Sequence, residues 1–236
     1  MIPRVASTNL IARRIVTECI ENELSLPQAL IIAGEQFAGR GRNDRRWSSP
    51  PGKGIYATAL VTRPVRELPV VPLAMAACIA GYLQKEYGID ARIKWPNDVL
   101  VDRRKIAGIL MEARIQDERV FLLIGMGINV EPVQDDTRPN AVAISEVAAR
   151  GVSDVEGATH AFIHHLDEYL SHPFVHADVL RAWRELSIHQ PGDRIHCVIG
   201  ERTVDGTWSH IDEHGRAVLT TDGGEIAVSA GDLFLA

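Results

Sequence analysis

Ile11, Ile15 and Cys19 recur every four residues behind Ser7-Thr8-Asn9. This spacing predicts a capped helix from residue 8 to about 22 with one buried face. Residues 29–34, Ala-Leu-Ile-Ile-Ala-Gly, read as a buried strand, and 54–61 as another. The polar, Gly/Arg-rich stretch 36–53 between them is too long for a simple connector. Val71 to Tyr87 is alanine-rich and ends at Gly88, the pattern of a buried helix with a glycine C-cap. Strands follow at 91–95 and 99–102, and the charged turn Asp102-Arg103-Arg104 leads into another at 105–113. Residues 120–130 form a further strand. Ser153 and Glu156 have the spacing of a capping box for a helix to about Leu170, and a last helix covers 175–187.

After Pro191-Gly192 the helical period disappears. Five short β runs separated by turns fill 194–235, which predicts a small barrel. The expected organisation is α+β, with a mixed β-sheet and helices over residues 1–188 and a small β domain over 189–236.

Charge narrows the functional classes. The 236-residue chain carries a formal net charge of −6, which argues against a nucleic-acid partner. No apolar run reaches the ~18–20 residues of a membrane span, and the N-terminus has no signal-peptide core, so a cytoplasmic protein without a membrane partner is expected. The three cysteines, Cys19, Cys78 and Cys197, show no CxxC spacing and read as buried free thiols. The late histidines, His160, His164, His165, His172 and His176, form no metal-binding pattern, and no metal ligand is assigned. There is no GxSxG elbow for a serine hydrolase.

Against this acidic background, Gly39-Arg40-Gly41-Arg42-Asn43-Asp44-Arg45-Arg46-Trp47 concentrates four arginines and two glycines. Glycine permits close backbone approach, and guanidinium forks match carboxylate and phosphate oxygens. The plainer reading is a solvated basic loop. Lys94-Trp95-Pro96-Asn97-Asp98 places a cation, a ring, an amide and a carboxylate in sequence, although Asn97 and Asp98 could merely cap a turn. Lys105 opens an apolar strand, where it either snorkels to the rim or points into a site, and Gly108 would let a ligand lie against that strand. Gly125-Met126-Gly127-Ile128-Asn129 fails as a dinucleotide fingerprint because the third glycine is absent.

Taken in order with Ser7-Thr8-Asn9, Gln36, Trp47-Ser48-Ser49-Pro50 and Lys105-Ile106-Ala107-Gly108-Ile109-Leu110, these segments resemble the biotin–protein ligase family over essentially the whole chain. The resemblance implies a catalytic fold like that of class II aminoacyl-tRNA synthetases, followed by an SH3-like β domain. It implies that biotin and Mg²⁺-ATP give biotinyl-5′-AMP, which a lysine of a biotin carboxyl carrier protein then attacks. By matching positions, Ser7, Thr8, Asn9, Gln36, Gly39, Arg40, Gly41, Arg42, Lys105, Gly108 and Leu110 would contact biotin or its acyl phosphate. Arg40, Arg42, Arg45, Trp47, Lys94, Asn97, Lys105 and Asn129 would serve ATP. Lys105 and Arg42 would carry the catalysis.

Two departures stand out. The family loop usually reads Gly-Arg-Gly-Arg-Arg-Gly-Arg, whereas Asn43 and Asp44 stand here in place of Arg-Gly. The family's repressor-ligases carry an N-terminal helix-turn-helix domain, and with Ser-Thr-Asn at residues 7–9 the monofunctional type is expected. A homodimer is left open. The rival readings are a lipoate or octanoate ligase of the same fold, and a catalytically silent biotin- or nucleotide-binding regulator.

Overall fold

A computed structural model describes residues 1–235 except 27, 44, 117, 134–139, 150 and 153. Six strands make the first sheet: β1 (Ala29–Ala33), β2 (Gly54–Pro64), β3 (Arg92–Lys94), β4 (Asp98–Val101), β5 (Arg104–Gln116) and β6 (Arg119–Asn129). Their order across the sheet is β1-β2-β6-β5-β4-β3. The sequence predicts a mixed sheet, but every strand pair is antiparallel, and parallel pairing is confined to isolated bridges such as Ile2–Ala33 and Ile93–Ser187. For three of the five pairs the reason is the short links. β3 to β4, β4 to β5 and β5 to β6 are joined by two or three residues, too few for the crossover a parallel pair needs. Asp102 and Arg103 form the two-residue turn between β4 and β5 with φ of 49° and 63°, the left-handed geometry a tight hairpin requires.

The two faces of the sheet are covered differently. On β6, Leu122, Ile124, Met126 and Ile128 face the large core built around α2 (Val71–Tyr87), α4 (Val155–Leu170) and α5 (His176–Leu186). Leu123 faces the opposite side, where α1 (Thr8–Glu21) packs Ala12 and Val16 on Ile31 and Leu60. The buried stripe of α1 is therefore Ala12, Val16 and Cys19, and the expected Ile11 and Ile15 flank it half-buried. Ser7 stands at the N-cap in extended backbone but makes no side-chain capping bond. Farther on, Asp154 caps α4 by accepting from Gly157 N; the expected capping residue Ser153 lies outside the described residues.

A 3₁₀ turn (Val65–Val70) precedes α2, and a single-turn α3 (Ile144–Val147) follows β6; neither is long enough to show a hydrophobic period. Together the 3₁₀ turn and α2 make a helical run of 23 residues, Val65–Tyr87, with mean hydropathy 1.3. This is long and apolar enough to cross a membrane by length and composition alone, although charged and polar residues bound its uninterrupted apolar stretch, Leu68–Leu83. Within this fold 67% of its apolar window is buried, so its hydrophobicity on all sides reflects packing between the sheet and two helices. Gly88 ends it at φ 68°, as expected for a left-handed C-cap.

The second sheet contains β7 (Arg194–Ile199), β8 (Arg202–Ile211), β9 (Ala217–Thr221), β10 (Gly224–Val228) and β11 (Asp232–Leu235), the five strands expected. They run antiparallel in the order β10-β9-β8-β7-β11. β10 and β11 form its two edges, so among the described residues the sheet is open rather than a closed barrel. Its inner residues Ile195, Cys197, Trp208, Leu219 and Leu233 share one continuous core with α2 and α5. Trp208 stacks on Trp183 of α5 at 6.1 Å and on the linker residue His189 at 4.6 Å. All three cysteines are buried free thiols, and burial raises the Cys78 thiol far above its ordinary range.

Candidate functional site

On the α1 face of the first sheet, the strands diverge from the helix and leave a cavity of about 480 Å³. It gathers Ser7, Thr8, Asn9, Gln36, Arg40, Gly41, Arg42, Arg45, Trp47, Asn97, Lys105, Gly108 and Leu110 of the residues expected from the sequence. Gly39, Lys94 and Asn129 do not line it. Gly39 is buried behind the loop, where a Cβ would come within 2.3 Å of Trp47 O. Lys94 turns towards the second sheet, its Nζ 4.9 Å from the Phe234 ring centroid; burial lowers its pKa, partly offset by Asp98 and Asp232. Asn129 donates to Lys105 O at 3.3 Å and Val142 O at 3.1 Å, bracing the backbone of the lysine instead of reaching the cavity itself.

One end of the cavity is a hydrogen-bonding cluster built mainly from uncharged side chains. Gln36 Oε1 accepts from Thr8 N at 2.8 Å and from Thr8 Oγ1 at 3.1 Å, while Gln36 Nε2 donates to Ser49 Oγ at 2.9 Å. Thr58 Oγ1 lies 2.7 Å from Thr8 Oγ1 and 2.6 Å from Asn9 Oδ1, and its single proton serves one of them at a time. Asn9 Nδ2 donates to Leu110 O and Glu112 Oε1, both at 3.3 Å. Such a cluster is suited to a compact polar head with both donors and acceptors. Thr58 is absent from the sequence reading, because one threonine within the buried run of β2 carries no local signal.

The other end is cationic. Arg40, Arg42, Arg45, Arg46 and Lys105 line the cavity against two carboxylates, Asp98 and Asp232. In a chain of net charge −6 this local excess of cations selects an anion. Like charges in the loop are held apart by separate partners. Arg42 donates to Asn97 Oδ1 and Gly231 O, each at 3.0 Å; Arg45 pairs with Asp232; Arg46 donates to Phe37 O at 3.0 Å. Asn97 in turn donates to Ile109 O at 2.6 Å, so the Lys94–Asp98 motif braces the arginine loop. Lys105 Nζ sits 2.6 Å from Asp98 Oδ1 and 5.3 Å from the Trp47 ring centroid. Asp98, which the sequence left open between a turn cap and a site residue, is thus the counter-ion of Lys105. Asp232 has no sequence signal, because it lies in the second sheet. Asp44, the departure within the loop, lies outside the described residues.

Small residues make the floor. Gly108 on β5 is paired with Gly127 on β6, and the Trp47 ring lies on both. A Cβ at Gly127 would fall 2.4 Å from Trp47 Cε2, and one at Gly108 would sit 3.1 Å from Trp47 Cζ3. A Cβ at Gly125 would fall 2.2 Å from Asn9 Oδ1. The glycines of the Gly125–Asn129 segment therefore admit side chains from other elements against the sheet.

A site with a polar head pocket, an apolar middle and a cationic mouth fits an activated small carboxylic acid. Residues 2–129 match the biotin/lipoate A/B protein ligase family. The chain is 31% identical over 223 residues to the biotin–[acetyl-CoA-carboxylase] ligase of Paracoccus denitrificans, covering 87% of this chain and 90% of that one. It is 29% identical over 220 residues to the bifunctional ligase/repressor BirA of Bacillus subtilis, of which it spans 66%, just under two thirds. The fold is similar to that of the biotin protein ligase from Aquifex aeolicus in complex with biotin and ATP, with a TM-score of 0.74 at 23% identity, covering 100% of this chain and 97% of that one. The chain belongs to the biotin/lipoate A/B protein ligase family.

Proposed function

We propose that this protein is a biotin–protein ligase that forms biotinyl-5′-AMP from biotin and Mg²⁺-ATP and passes the biotinyl group to a lysine of a biotin carboxyl carrier protein. The observation that carries this reading is the single cavity joining the Thr8–Asn9–Gln36–Thr58 cluster to the cations Arg42, Arg45 and Lys105. In the first half-reaction a carboxylate oxygen attacks the α-phosphorus and pyrophosphate leaves. Two anions must approach, and fixed cations in a partly dry cavity offset their repulsion. Lys105 and Arg42 are the groups assigned that role. In the second half-reaction the carrier's neutral amine attacks the acyl carbon and AMP departs.

The polar cluster would hold the head of biotin, with Ser7, Gly41, Gly108 and Leu110 around its body. Arg40, Arg45, Trp47 and Asn97 are assigned to the nucleotide. Gly39, Lys94 and Asn129 act one step away, through the loop backbone, the charge balance and the Lys105 backbone. Magnesium belongs to the substrate. Asp98 and Asp232 are the carboxylates that line the cavity, each paired with a cation of the site.

Residues 1–188 are proposed as the catalytic unit, related to class II synthetases, and 189–236 as an SH3-like unit whose open sheet approximates a barrel. A cytoplasmic location and a carboxylase carrier as partner follow from the same reading. Incubation with ATP, Mg²⁺ and either biotin or lipoate, followed by mass spectrometry, tests it. Biotinyl-5′-AMP is the expected product. A lipoyl adenylate alone would move the assignment to a lipoate ligase, and binding of biotin with no adenylate would make the protein a silent regulator.

A further inference from the structure

The arginine loop is anchored on two consecutive residues almost two hundred positions away. Arg42 Nη2 donates to Gly231 O at 3.0 Å, Arg45 pairs with the Asp232 carboxylate, and Asn43 Nδ2 donates to Asp232 Oδ2 at 3.4 Å. The two ends of the ion pair differ. The Asp232 side chain is 16% exposed at the start of β11 and lines the cavity, whereas that of Arg45 is 63% exposed. The carboxylate is therefore set into the cavity wall, while the guanidinium reaches it from the solvent side.

We propose that Asp232 is a positioning residue that acts as an internal stand-in for nucleotide phosphate. It holds Arg45 and the loop over the cavity without ligand, and the phosphates of ATP displace it from Arg45. This rests on the ligase reading. A guanidinium cannot present the same fork to a carboxylate and a phosphate at once. The phosphates of ATP must therefore break the Arg45–Asp232 pair before they can take the guanidinium, and that competition lowers nucleotide affinity. The second sheet thereby opposes nucleotide binding while keeping the loop ordered for it. A permanent brace would behave oppositely, because removing its charge would loosen the loop and weaken binding.

Asp232→Asn keeps the shape and an acceptor oxygen but removes the charge. In the full-length protein without ligand, tryptic cleavage after Arg42, Arg45 and Arg46 should accelerate several-fold. Mg²⁺-ATP, titrated by calorimetry, should bind about fivefold more tightly, the factor corresponding to roughly one partly screened charge contact. Asp232→Glu should restore both wild-type values. In an Arg45→Gln background, Asp232→Asn should change ATP affinity by less than about twofold, since the pair no longer exists. Unchanged or weaker ATP binding by Asp232→Asn, with the wild type forming adenylate normally, would overturn this proposal alone. Tighter binding by the variant with no biotinyl-adenylate from either protein would instead overturn the ligase reading. An equal gain in both Arg45 backgrounds would overturn the stand-in role.

Discussion

Lys105 is held at the point where the cavity is both cationic and shielded. Asp98 fixes its Nζ, the Trp47 ring lies beneath, and Asn129 secures its carbonyl. Lys105→Ala should reduce adenylate formation by at least a hundredfold, the loss of roughly 3 kcal/mol of transition-state stabilisation. The melting temperature should remain near the wild-type value, because the side chain is a rim residue. Pyrophosphate release and thermal unfolding measure the two quantities, and near-normal turnover would remove Lys105 from its assigned role. Gly125 gives a steric counterpart. With Asn9 Oδ1 only 2.2 Å from the site of a Cβ, Gly125→Ala must push Asn9 off Thr58. Overpacking of this kind costs about 1–3 kcal/mol, and biotin affinity measured by calorimetry should fall at least tenfold. Retained affinity would show that the Asn9 cluster does not bind the head of the ligand.

Elements show how much could be read beforehand. Strongly periodic or glycine-ended runs such as α1 and α2 were legible, as were the strand-only pattern after Pro191 and the gathering of the Arg40–Trp47 and Lys94–Asp98 segments. Partners distant in the chain were not, since nothing local in Thr58, Asp232 or His189 marks them. His189 is the clearest case. It lies in the linker to the second sheet, yet its Nε2 accepts from Trp95 N at 3.2 Å and so supports the turn that presents Asn97. Burial, assisted by the charge of Lys94, lowers its pKa to about 4. The native state thus holds His189 neutral, while the unfolded chain binds a proton near the ordinary histidine value of about 6.5. Stability contributed by the neutral ring is complete above about pH 6.5 and is lost as pH falls towards 4, by roughly 2 kcal/mol between pH 7 and pH 5. Urea denaturation at those two pH values should show this loss in the wild type and a smaller one in His189→Gln, which cannot titrate. Equal losses would mean that the ring is not the group responsible.

At the scale of the molecule, the second sheet is joined to the first through a shared core and through the site itself. Trp208 is 3% exposed and stacks between His189 and Trp183, and Trp95 Nε1 donates to Gly215 O at 3.0 Å. Trp208→Ala should cost about 3–5 kcal/mol, and the transitions followed by tryptophan emission and by far-ultraviolet circular dichroism should still coincide. A separate early transition of the C-terminal sheet would show that the core is not continuous.

The glycine floor has an optical consequence. Trp95, Trp183 and Trp208 are 2%, 1% and 3% exposed and lie in the permanent core, whereas Trp47 rests half-buried on Gly108 and Gly127 inside the cavity. Four indoles thus divide into three constant emitters and one that any ligand reaching the sheet must slide aside. The protein carries its own fluorophore in the wall of the candidate site. Successive addition of biotin and ATP should register as stepwise changes in intrinsic emission that vanish in Trp47→Phe, giving the order and rates of ligand arrival without a label.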